Sequence, residues 1–135
     1  MTAVGLLKFV LRFGGVVTGL AFVTVFLPAE WMAWTHERVG LGELPRGPIV
    51  DYLARSIALL YGFHGILMLI VATDPVRFRP IVTYIACMDI AFAVAIFGID
   101  LHAGMPWYWT FGETASILGV GIVLAILLRY TPKAG

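Results

Sequence analysis

The sequence predicts an all-α fold: an integral membrane four-helix bundle with a short interfacial helix between the first and second long helices. Three observations predict it. The chain is 61% hydrophobic and only 13% charged, well above the apolar content of water-soluble domains. Its apolar residues fall into four blocks, each about the length needed to cross hydrocarbon. No proline interrupts the interior of a block, so each can close its backbone hydrogen bonds within itself, as lipid demands.

The first block, 6–27, is apolar apart from Lys8, Arg12 and some threonines, and ends at Leu27-Pro28. Basic residues ahead of an apolar run also suit a signal peptide. No small-x-small cleavage site follows, so a retained helix is expected. The outer segment, 28–51, opens with Pro28-Ala29-Glu30-Trp31-Met32-Ala33-Trp34. Proline in a first turn and tryptophans three apart predict a short helix along the membrane surface. The stretch from Gly40 to Pro48 is too rich in Gly and Pro for regular structure. The remaining spans are expected at 52–72, 81–99 and 109–128, each bounded by Pro, Gly or charge. With 135 residues, the chain has room for one transmembrane domain, 1–135.

Charge sets the orientation. Lys8, Arg12, Arg77, Arg79, Arg129 and Lys133 flank one side of this topology; Arg38, Arg46 and Arg55 flank the other. The positive-inside rule places the first side, with both termini, in the cytoplasm of an inner-membrane protein. Trp31, Trp34, Trp107, Tyr108 and Trp109 then fall at the outer interface, where amphipathic rings anchor helices. A net charge of +1 gives no field to recruit nucleic acid. The lone Cys87 offers neither a disulfide nor a thiol pair for metal.

Ionisable side chains within spans are expensive to bury and need partners. Two levels of them emerge. Arg55 and Glu113 each lie about four residues below the outer end of their spans, so an Arg55–Glu113 ion pair is expected, with Asp51, Asp100 and His102 completing an outer polar cluster. Nearer the middle, His64 and Asp89 share a second level and could meet, with Tyr61 beside them. Such a pair fits a proton relay, a ligand site or a buried contact that locks helix register. Arg55 and His64 lie nine residues apart, about 180° around their helix, so they face different neighbours. On the third span Asp89, Ala93, Ile96 and Asp100 share a face; on the fourth, Trp109, Glu113, Ser116 and Val120 align and are expected to point inward. Gly15 and Gly19, Gly62 and Gly65, and Gly119 and Gly121 are expected at close helix contacts.

No pair of histidines at i, i+4, no Cys-x-x-Cys, no P-loop and no dinucleotide fingerprint occurs, so haem, zinc and nucleotides have no motif, and no catalytic residues stand out. Asp51-Tyr52-Leu53-Ala54-Arg55-Ser56, Tyr61-Gly62-Phe63-His64-Gly65, Arg79-Pro80, and Gly104-Met105-Pro106-Trp107-Tyr108-Trp109-Thr110 with Gly112-Glu113 together resemble a group of uncharacterised bacterial four-helix membrane proteins, loosely DoxX-like. That resemblance implies a membrane helical fold and, through some DoxX-like proteins, an association with quinone-linked oxidation. The expected function is a small binding or accessory module for a lipid, a quinone or a partner subunit, through polar residues in the outer half of the bundle. A proton-coupled transporter or channel working as a homo-oligomer, and a subunit of a larger membrane oxidoreductase complex, are the alternatives.

Overall fold

Six helices account for 80% of a computed structural model, which describes residues 2–132; Lys133 lies outside the described residues. They are α1 (Ala3–Gly19), α2 (Ala21–Phe26), α3 (Ala29–Arg38), α4 (Pro48–Val71), α5 (Arg79–Ala103) and α6 (Trp107–Arg129). There is no strand among the described residues. Four helical stretches are long and apolar enough to cross a membrane: Ala3–Phe26, Pro48–Val71, Arg79–Ala103 and Trp107–Arg129. Each long helix leaves large apolar side chains exposed, among them Phe13, Leu60, Val94 and Phe111.

The helices outrun the apolar blocks. Expected from 81 to 99, the third span instead begins at Arg79 and continues to Ala103, so Asp100 and His102 stand on helical backbone. Hydropathy marks where lipid is tolerated, whereas a helix ends where its hydrogen bonds are redirected. Gly104 does this for α5. At φ 68°, a backbone region glycine enters without penalty, it turns its own N–H and that of Met105 back onto carbonyls of the last turn. The first span is also interrupted, with α1 ending at Gly19 and α2 starting at Ala21; glycine is a poor helix former.

The chain forms two compact units, Gly15–Leu67 and Met1–Gly14 with Met68–Gly135. In the Gly15–Leu67 unit, glycine permits backbone-to-backbone packing. A Cβ on Gly65 would lie 2.6 Å from the Gly15 carbonyl oxygen and 2.7 Å from Gly19 Cα, and one on Gly62 would overlap the Phe22 ring. Phe22 in turn packs edge-on against Phe63, with centroids 5.2 Å apart. The short helix α3 follows Pro28, with Glu30 in its first turn and His36 and Arg38 in its last, charges that match the helix dipole. His36 Nδ1 lies 2.9 Å from the Gly42 carbonyl oxygen and ties the following loop back to the helix.

The other unit is built around the antiparallel pair α5 and α6. Leu7, Leu11, Val71, Val82, Ile85, Ala86, Ala93 and Leu124 are buried in its core. Gly121 sets the closest approach of the pair: a Cβ there would stand 2.9 Å from Ile90 Cγ1, 3.0 Å from the Ala86 carbonyl oxygen and 3.1 Å from Asp89 Cβ. At the far end of the hairpin, Arg79 donates to the carbonyls of Leu128, Thr131 and Pro132 and to Thr131 Oγ1. One guanidinium thereby satisfies the carbonyls that α6 leaves unpaired where it ends.

Candidate functional site

The ionisable residues expected in one outer cluster divide between the two units. Arg55 and Asp51 lie in Gly15–Leu67, with Tyr61 and His64; Asp100, His102, Glu113 and Asp89 lie in the other.

Arg55 is committed locally. Its Nε donates to both oxygens of Asp51, each at 3.0 Å, one turn earlier on α4. Nη2 donates to the Leu27 carbonyl at 3.0 Å and Nη1 to the Val25 carbonyl. Those carbonyls end α2, so Arg55 caps that helix as Arg79 caps α6. Its anionic partner within the unit is Asp51, a carboxylate at i−4 on the same helix that needs no long-range positioning.

Glu113 has a different environment. It is half-buried on α6, with the Trp109 indole one turn earlier as its hydrogen-bonding partner and the Asp100 carboxylate as a charge neighbour. The inward face of α6 is not the one expected. Ser116 is exposed and donates to the Gly112 carbonyl at 2.6 Å, while Thr110, Gly121, Leu124 and Leu128 are buried. Glu113 flanks that buried stripe.

Helical periodicity brings Asp100 to Thr110. Asp89 and Asp100 are eleven residues apart on α5, and Thr110 and Gly121 eleven apart on α6. Eleven residues make about three turns and return to the same face. Since Gly121 packs against Asp89, the antiparallel register places Thr110 opposite Asp100, some 16 Å along the pair at about 1.5 Å per residue. The ring contact of Phe97 with Phe111, at 5.7 Å, holds the same register between the two levels. Asp100 is 5% exposed and Thr110 1% exposed. Asp100 Oδ2, Thr110 Oγ1 and Thr114 Oγ1 are all buried without a hydrogen-bond partner.

Three unpartnered oxygens at one end of one helix pair are unusual, because buried polar atoms are nearly always satisfied. Neither Asp100 nor Glu113 has an ion-pair partner among the described residues. His102, two positions beyond Asp100, is exposed. Asp89 is buried and His64 half-buried; these two and Tyr61 are each engaged by a neighbour. Reading the sequence for ionisable groups missed Thr110 and Thr114. The available signal was their i, i+4 spacing on the stripe that leads to Gly121. Comparison with protein-family models, with characterised proteins and with solved structures finds no match for this chain.

Proposed function

We propose that this chain is a multi-pass protein of the bacterial inner membrane, with both termini cytoplasmic and α3 lying along the outer interface, and that it binds a small amphipathic molecule at the outer end of α5 and α6. Four apolar helices of spanning length support the membrane reading, and the excess of Lys and Arg on one side supports the orientation. One observation carries the binding reading: Asp100 Oδ2, Thr110 Oγ1 and Thr114 Oγ1 are buried and unpartnered, within about one helical turn of each other along the pair. Leaving such groups unmade costs free energy, which a bound polar head recovers. The exposed Trp107 and Tyr108 beside them suit the boundary between headgroups and tails, so a ligand lying there keeps its tail in lipid.

Native mass spectrometry from a mild neutral detergent tests this reading. The protein should carry a lipid- or quinone-sized adduct that disappears in Asp100→Asn and in Thr110→Val. An adduct retained equally by both variants places the ligand elsewhere, and complete absence of one removes the reading.

A further inference from the structure

The chemistry of the three free oxygens restricts what the site can hold. An ionised carboxylate only accepts hydrogen bonds, and a threonine hydroxyl accepts readily. Asp100 and Glu113 add two carboxyl groups with no ion-pair partner among the described residues. The arginines of α5 and α6 lie at the opposite end: Arg79 opens α5 and Arg129 closes α6, about 30 Å from Asp100 and Thr110 at about 1.5 Å per residue; His102, in the last turn of α5, is exposed. The last-turn carbonyls of Asp100 and Leu101 are already taken by the N–H groups of Gly104 and Met105. The site therefore offers two carboxylates and two hydroxyls, and no group of three or more His, Cys, Asp or Glu side chains that could hold a metal ion occurs among the described residues.

We propose, resting on the binding reading above, that the site recognises a primary ammonium group on an apolar tail. Asp100 Oδ2, Thr110 Oγ1 and Thr114 Oγ1 are unpartnered and match in number the three N–H donors of an ammonium. Glu113, held by the Trp109 indole, places a second carboxyl group beside Asp100. The Phe97 and Phe111 rings, packed edge to face with Phe97 about one turn before Asp100 and Phe111 next to Thr110, give the first methylenes an apolar wall. This chemistry is shared by the headgroup of phosphatidylethanolamine and by a free long-chain amine.

The test is a set of thermal unfolding curves in a neutral maltoside detergent. The additives are dodecylammonium, dodecyltrimethylammonium, dodecanol, sodium chloride, phosphatidylethanolamine, phosphatidylglycerol and ubiquinone. Dodecylammonium should raise the midpoint by several degrees. The trimethyl analogue, which has the charge but none of the three N–H donors, should bind at least tenfold more weakly, since one charge-assisted hydrogen bond alone is worth about that much. The shift should vanish in Asp100→Asn and in Thr110→Val; if Asp100→Asn does not fold, Thr110→Val decides alone. Stabilisation by phosphatidylethanolamine as well assigns the group to a lipid headgroup, and stabilisation by the amine alone assigns it to a free amphiphile. Equal stabilisation by the trimethyl analogue or by sodium overturns the proposal. Thr110-dependent stabilisation by phosphatidylglycerol or ubiquinone, with none by the amine, overturns the ammonium and leaves the binding site standing. No Thr110-dependent stabilisation by any additive removes both.

Discussion

By helical register Asp100 on α5 lies opposite Thr110 on α6, about three turns from the point where Asp89 packs on Gly121, and both keep a buried oxygen without a partner. The relationship follows from register, since equal eleven-residue steps run along both helices from the tight contact at Gly121, where a Cβ would crowd Ile90 and the Ala86 carbonyl. An oxygen pair so placed weakens the empty protein and gives a ligand something to satisfy.

Thr110→Val separates those two effects. Valine fills the same space without the unpartnered hydroxyl, so the ligand-free protein should become more stable by about 1 kcal/mol, while any bound adduct is lost. Thermal unfolding of delipidated protein and native mass spectrometry read the two effects. A variant that is both less stable and still loaded would contradict the assignment.

Gly65 is the tightest backbone contact in the Gly15–Leu67 unit. Gly65→Ala drives a methyl into the Gly15 carbonyl and Gly19 Cα, where no side chain can move aside. A loss of about 1–3 kcal/mol is expected. Gly98→Ala, which meets nothing within 4 Å, should be neutral or stabilising by up to about 1 kcal/mol through helix propensity. Urea or heat unfolding in detergent distinguishes the two.

Arg55 serves the end of α2 through geometry as well as charge. Arg55→Ala leaves the Val25 and Leu27 carbonyls without their donor, for an expected loss of about 1–3 kcal/mol. Arg55→Lys keeps the charge but not the fork that reaches Asp51 and both carbonyls together, so its stability should fall between the two. Full recovery by lysine would show that charge alone matters.

The sequence made the long helices legible because lipid imposes a strong constraint on composition and on proline. It also marked the face of α5 along which Asp89, Ala93 and Asp100 are buried, since that periodicity is a property of a single helix. Pairing was harder. Depth, which matches Arg55 to Glu113, says nothing of azimuth; the contact found is the local one, with Asp51 one turn earlier on the same helix. The inward face of α6 was drawn through its charged residue, whereas the small and hydroxyl residues that permit close packing, Thr110 and Gly121, define it. Arg79 looked like an orientation signal only; its hold on the end of α6 depends on where two helices end, which hydropathy does not reveal.

Membrane orientation is open to a direct check. Cys87 is the lone cysteine, so Cys87→Ala provides a background in which single cysteines at Gly42 and Arg77 can be probed with an impermeant maleimide on intact cells. Position 42 should label from outside, and position 77 only after lysis. The reverse pattern would invert the topology.

The most direct measurement is an experimental structure determined in a lipid bilayer, at a resolution that separates water from longer ligands. The account predicts elongated non-protein density with its head within hydrogen-bond distance of Asp100 Oδ2 and Thr110 Oγ1, and its tail along the exposed face of α5 and α6. A single water bridging those two oxygens, or a direct bond between the two side chains, would contradict it.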